Sequence, residues 1–495
     1  MPSRDFKPPG RALTSWWMSA LLRPGFAVVT GLVAFGVVVV SLRVAALPFS
    51  MSIAILGLVL PVGAVSIVLW PRNSSMMLLF CALLYPYRFY TPLGPVNSFS
   101  IVDLAIPLIL TILLLTHPRP APPSTAVRME FLAIGVFVLT RTVSLVWAPR
   151  WTMWTRETIL MVLNLGIFSV GYMLITSGTV LRVWRSYAGL GLGAVSVTIV
   201  YRIWHPEALN IYPRITDSAV ITSWQFRLGS PTWGASNLFA STMLAFLSLY
   251  LALAILGKEQ RTRRFFAAAS VLVGAMIFLT FSAGGIAAVL VSLFALLVLA
   301  SRRRFTPKDM WFPLKVGATS VLILLGVWGL LTSMSTETAQ FATAKFRDLT
   351  QHFTTLDRLQ RLEFAFAFAT DHPLGAGLGN YSPQGHESSR YLVHNGYLQA
   401  LVETGWFGVV TLGGLLWAFL RVNGAFVRQS TGTQMEPYAI GAAAGLIGFL
   451  FHMLGEPIFE ATITGWLLWL LQGMVAGSQS LLTARSASAA KGRAI

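Results

Sequence analysis

The chain has 495 residues, of which 55% are hydrophobic and only 11% charged. A soluble domain cannot hide that much apolar surface, so a multi-pass membrane protein is the class that remains. The formal charge of +18 is dispersed in short clusters between apolar blocks, an orientation signal rather than a nucleic-acid surface, and the lone Cys81 excludes an intrachain disulfide.

Taken in chain order, Arg4, Lys7, Arg11 and Arg23 precede an apolar run at 25–42. That run is too long for a signal core and leads into Arg43 and further spans, so it reads as an uncleaved first helix. Windows of spanning length follow at 50–70, 75–92, 100–116, 130–148, 157–176, 186–203, 236–256, 265–281, 284–300, 314–332, 398–420, 438–455 and 461–478. The expected fold class is all-α, a polytopic integral membrane protein of about fourteen transmembrane helices. With the N-terminus inside, "GKEQRTRR" (Gly257–Arg264) and "SRRRFTPK" (Ser301–Lys308) both fall on the cytoplasmic side, as do both termini. The long segments 204–235 and 333–397 then fall outside. The expected organisation is an N-terminal bundle (1–332), a large periplasmic loop carrying the chemistry (333–397), and C-terminal helices with a cytoplasmic tail (398–495). Within the loop, from Thr336 to Thr370, Phe341, Phe346, Leu349, Phe353, Leu356, Leu359 and Leu362 recur at helical spacing. They predict short amphipathic helices lying on the outer membrane surface over a cavity.

The polar residues crowd into these outer segments. In "HPLGAGLGNY" (His372–Tyr381), Pro373 stops a helix and three glycines make a tight turn. "VHNGYLQALVETGWFG" (Val393–Gly408) then opens the next helix with Asn395 as N-cap. Free amides of that helix start and of the turn are expected to face an anionic ligand. His394 stands just before the helix, and histidine is the side chain suited to act as a base near neutral pH. Arg227, Arg358 and Arg361 lie on the same outer side; guanidinium forks suit phosphate, and Arg358 and Arg361 share a helical face. Arg141 lies inside a span, where a charge is costly and functional by default. Glu403 either orients His394 or an acceptor, or serves a hydrogen bond in the interior. His452 and Glu456, four apart, are too few for a metal site and read as structural; His372 and His386 read as loop residues. No Asp-x-Asp pair stands in the outer loops, so neither metal nor cofactor is expected.

His394-Asn395-Gly396-Tyr397-Leu398, six residues and then Gly405 resembles the His-Asn-x-x-Leu-x6-Gly motif of the O-antigen ligase and polymerase superfamily. "DRLQRLEFAFAFATDHPLGAGLGNY" (Asp357–Tyr381) is similar to that family's Arg, amphipathic helix and His-Pro-Leu-x-Gly-x-Gly block, and "RLGSPTWGASNLFA" (Arg227–Ala240) more distantly to its Arg-x-Gly…Asn-x-x-Ala segment. The resemblance implies transfer of a glycan from an undecaprenyl-diphosphate carrier to a lipid- or glycan-linked acceptor at the outer face of the bacterial inner membrane. Such a transfer needs a base for the acceptor hydroxyl and cations for the departing diphosphate; His394 suits the first and the arginines the second, with Asn395 and Glu403 expected beside the substrate. One position departs: Ser282-Ala283 stands where the family often has Ser-Arg, and Arg141 either replaces that cation or is an intramembrane polar group satisfied by a carbonyl. The alternative reading is a transporter or flippase of lipid-linked saccharides. Transporters, however, keep their polar groups near mid-membrane between repeats, and no repeat is visible here. A membrane scaffold would not need a His-Asn pair at a helix mouth.

Overall fold

The computed structural model describes residues 88–90, 98–100, 122–176, 180–204, 236–280, 282–301, 353–381, 393–457, 459 and 462–493. All belong to one contact unit, residues 62–495. The helices among them are α1 (Thr125–Val143), α2 (Trp151–Thr176), α3 (Val180–Trp204), α4 (Ser236–Leu256), α5 (Gln260–Leu279), α6 (Ala283–Ser301), α7 (Phe353–Asp371), α8 (Gly396–Ser430), α9 (Glu436–His452) and α10 (Thr462–Arg493). Among the described residues, six segments are long and apolar enough to cross a membrane: Thr125–Trp147, Trp151–Ile175, Asn237–Leu256, Gln260–Leu279, Ala283–Ser301 and Gly396–Ser430.

Each predicted span from 130–148 onward, 314–332 apart, meets a helix. The windows 25–42, 50–70 and 314–332, and all of 100–116 except Ser100, lie outside the described residues. Of the window 75–92 only Arg88–Tyr90 is described, and there the expected helix gives way to a strand: β1 (Arg88–Tyr90) pairs antiparallel with β2 (Ser98–Ser100), Phe89 opposite Phe99. Residues 75–87, 91 and 92 lie outside the described residues. α7 (Phe353–Asp371) is the described part of the expected amphipathic segment, and residues 336–352 lie outside the described residues. α7 buries Ala365 and Ala369 and leaves Phe364 and Phe366 exposed.

Glycines set the closest helix contacts. α2 packs against α10, where a Cβ on Gly473 would stand 2.0 Å from the Phe168 carbonyl oxygen and one on Gly171 2.6 Å from that of Leu470. Small residues let two backbones approach in this way, and the close packing replaces a hydrophobic drive that lipid does not supply. α4 is the most enclosed span, with 83% of its apolar window buried. It packs against α5, α6 and α9. At one end of these helices the Lys258 ammonium reaches the Gly432 carbonyl at 3.5 Å, so the α4–α5 and α8–α9 connections, both expected inside, meet.

Candidate functional site

The site is built around a break in α8. Gly405 has φ 66° and ψ −161°, a conformation open to glycine alone, and it divides the helix into a first segment up to Thr404 and a longer second one. The break frees the carbonyls of Val402 and Glu403 from their intrahelical partners. They accept instead from Ala376 N–H and Gly377 N–H, each at 2.8 Å, while Trp406 N–H donates to the Pro373 carbonyl at 3.2 Å. The glycine turn after α7 is thus the missing half of the broken helix, and every released backbone group named here has a partner. The turn is clamped from the other side too. Leu378 N–H donates to Ser144 Oγ at 3.0 Å, and the Arg150 guanidinium and backbone amide both donate to Asn380. Beneath it, Leu362, Phe368 and Ala376 pack on Ala365, Tyr381, Val393 and Val402.

At the mouth of α8, Asn395 is the N-cap: its Oδ1 accepts from Tyr397 N–H and Leu398 N–H, each at 3.0 Å. Its Nδ2 donates to the Leu454 carbonyl, Gly396 N–H to that of Met453, and the Tyr397 hydroxyl to that of Leu450. The start of α8 therefore docks on the end of α9. This corrects the expectation of free amides facing an anion. The amides of Gly396, Tyr397 and Leu398 are consumed by the cap and by the end of α9, those of Ala376, Gly377 and Leu378 by the clamp just described, and that of Gly375 by the His372 carbonyl at 2.8 Å. A helix start turned toward protein carbonyls has no donors left there for a ligand.

His394 precedes the cap with φ 57°, the one non-glycine residue at positive φ among the described residues. Its side chain is 33% exposed. Nδ1 faces Glu456 Oε2 at 3.2 Å, and Asn237 Nδ2 on α4 donates to Glu456 Oε1. The backbone beside it is held by a second chain. Val393 N–H donates to Gln399 Oε1 at 2.9 Å, Gln399 Nε2 to Glu403 Oε1 at 2.8 Å, and Arg141 Nη2 to Glu403 Oε2 at 3.1 Å. Arg141 and Glu403 are both buried, and the guanidinium also lies over the Phe137 ring at 5.1 Å. A charged pair this enclosed is tolerated because each partner neutralises the other.

The structure thus places His394 and Asn395 at the mouth of α8 between two hydrogen-bonded sets, His394–Glu456–Asn237 and Val393–Gln399–Glu403–Arg141. Arg361 lies half-buried on α7, and the backbone of Arg358 three residues before it. Arg227 lies outside the described residues. His372 stacks on Phe368, with ring centroids 4.2 Å apart. At the position of the family's Ser-Arg, Ser282 Oγ caps α6 by accepting from Gly285 N–H, and Gly284 packs against the His452 ring. Glu456 and Asn237 were given no role at the site by sequence reasoning: Glu456 read as structural in "HMLGEPIFE", and Asn237 stood only as the Asn of the Arg-x-Gly…Asn-x-x-Ala segment. Neither pattern shows that His394, 62 residues before Glu456, comes to meet it. Among the described residues no group of three or more His, Cys, Asp or Glu could hold a metal ion.

Apolar helices in series, with an ionisable network gathered where α1, α4, α8 and α9 meet, define a multi-pass membrane protein with a polar site at its helix ends. Residues 268–413 match the family model described as O-antigen ligase, which supports the resemblance to the O-antigen ligase and polymerase superfamily. The matched segment contains α6, α7, the glycine turn and His394 through the break at Gly405. No curated protein matches the chain.

Proposed function

We propose that this protein transfers a glycan from an undecaprenyl-diphosphate carrier to a hydroxyl on a lipid- or glycan-linked acceptor. The reaction takes place at the outer face of the bacterial inner membrane, and both termini are cytoplasmic. His394 removes the acceptor proton as the acceptor oxygen bonds to the sugar C1. The bond from C1 to the diphosphate oxygen breaks, and undecaprenyl diphosphate departs. With the backbone amides of the α8 start and the glycine turn already bonded within the protein, the leaving diphosphate falls to guanidinium groups. Arg227, Arg358 and Arg361 fill that role, and histidine and arginine side chains, rather than a bound metal, supply the catalytic groups.

The observation that carries this reading is His394. It stands partly exposed at a helix mouth inside the matched segment, while Arg141 and Glu403 beneath it are closed off from solvent. A base must reach the acceptor, and one positioned base is worth roughly 10²–10⁴-fold in rate. With purified protein, lipid-linked donor and acceptor, His394→Gln is expected to lose transfer while still binding donor; a wild-type rate would remove the base. Arg358→Ala weakens use of the donor, and Arg358→Lys restores it only in part, because an ammonium lacks the guanidinium fork. Glycan analysis of a deletion strain separates the two family activities. Shortened polymer marks a polymerase, and carrier-linked full-length polymer marks a ligase.

A further inference from the structure

Glu456 is nearly buried, with 9% of its side chain exposed, and it stands between two donors of different kinds. Asn237 Nδ2, on the first turn of α4, can only donate, so Glu456 Oε1 accepts. The other oxygen, Oε2, faces His394 Nδ1 at 3.2 Å. An ionised carboxylate has no proton to give, so the proton in this contact belongs to Nδ1. The arrangement therefore selects one tautomer of His394. Nδ1 carries hydrogen and points inward, and Nε2 keeps its lone pair and has no hydrogen-bond partner among the described residues.

The backbone supports the same geometry. His394 adopts φ 57°, which an L-residue holds only when its surroundings over-determine it. Val393 before it is fixed by Gln399, and Asn395 after it by the cap and by Leu454. With the neighbouring residues pinned, the imidazole direction rests on Glu456. Glu456 itself rests on Asn237 and on the turn in which Glu456 N–H donates to the His452 carbonyl at 3.2 Å.

We infer that Glu456, held by Asn237, is a positioning residue that locks His394 with Nδ1–H inward and Nε2 presented as the proton acceptor. This rests on the reading of His394 as the base and assigns that base its active nitrogen. During transfer the acceptor proton passes to Nε2, the imidazolium forms, and its new charge lies against the Glu456 carboxylate. The proton leaves afterwards to solvent or to the departing diphosphate, so atoms and charge balance without a further reactant.

The test uses the full-length protein in nanodiscs with lipid-linked donor and acceptor. In Glu456→Gln, Asn237 still claims the carbonyl oxygen, so the amide NH₂ turns to His394 and forces Nδ1 to accept, placing the hydrogen on Nε2. The expected result is a drop in kcat of roughly 10²-fold or more, with KM for the donor unchanged within about threefold. Glu456→Asp keeps the acceptor and retains an intermediate kcat. Nitrogen-15 NMR of labelled histidine should show His394 with Nδ1–H in the wild type and Nε2–H in Glu456→Gln. Asn237→Ala lowers kcat about tenfold and adds nothing in the Glu456→Gln background, because it acts through Glu456. It carries the kinetic test should Glu456→Gln fail to insert. A wild-type kcat in Glu456→Gln, an unchanged tautomer, or a loss confined to KM would overturn the assignment. If His394→Gln is dead while Glu456→Gln is fully active, only the positioning role falls; if His394→Gln is fully active, the base reading falls and takes this one with it.

Discussion

Arg141 is held as one half of a buried pair with Glu403, and its energetics follow from that. Removing one partner strands a charge in a medium that cannot solvate it. Arg141→Met is therefore expected to lower the unfolding free energy by about 3–5 kcal/mol, while Arg141→Met combined with Glu403→Met recovers most of the loss. Thermal unfolding in detergent, followed by tryptophan fluorescence, checks both. Gly405→Ala tests the break directly. A side chain at φ 66°, ψ −161° costs about 1–3 kcal/mol in backbone strain, and its Cβ would fall 2.1 Å from the Pro373 carbonyl oxygen. The variant should unfold earlier and lose the clamp between the glycine turn and α8, seen as faster amide exchange at Ala376 and Gly377. At this scale the sequence showed which residue types mattered but not their partners. His394 and Asn395 were legible because a cap and a base are local features. The pairing of Arg141 with Glu403, 262 residues apart, and of Asn237 with Glu456, 219 apart, is set by helix packing that no local pattern encodes.

Helix positions were legible wherever apolar length decided them. The 236–256 window coincides with α4, and the other windows from 130–148 onward that fall on described residues differ from their helices mainly at the ends. α10 runs 32 residues and α8 35, beyond the hydrocarbon-spanning minimum, since polar residues extend a helix without changing hydropathy in its favour. The break inside α8 was hidden for the opposite reason. Gly405 sits amid a helical pattern, and only the Pro373–Gly377 strand of chain lying across it explains the residue. The contact between α2 and α10 gives a prediction at this scale. Gly473→Leu should destabilise by about 1–3 kcal/mol, since its Cβ meets the Phe168 carbonyl at 2.0 Å. Gly135→Leu on α1, where nothing lies within 4 Å, should leave the melting temperature within a degree or two of the wild type.

For the molecule as a whole, the alternation of helices predicts that the α1–α2, α7–α8 and α9–α10 connections share one face. The contacts Arg150–Asn380 and His394–Glu456 do join them. The α4–α5 and α8–α9 connections gather at Lys258 and Gly432, as their expected common side requires. Reporter fusions at Ser382 and Arg303 should accordingly give opposite signals, periplasmic and cytoplasmic; the same signal from both would break the assignment of sides. The spread of the site along the chain also bears on its manufacture. A ribosome delivers α1 and its Arg141 long before Glu403 exists, and His394 emerges 62 residues ahead of the carboxylate that faces it. Until the α9–α10 turn has been made, the nascent chain carries an imidazole without its counterpart. Competence is thus acquired in a single late step of biogenesis, and a polypeptide released before Glu456 should insert its earlier helices yet stay inert toward glycans.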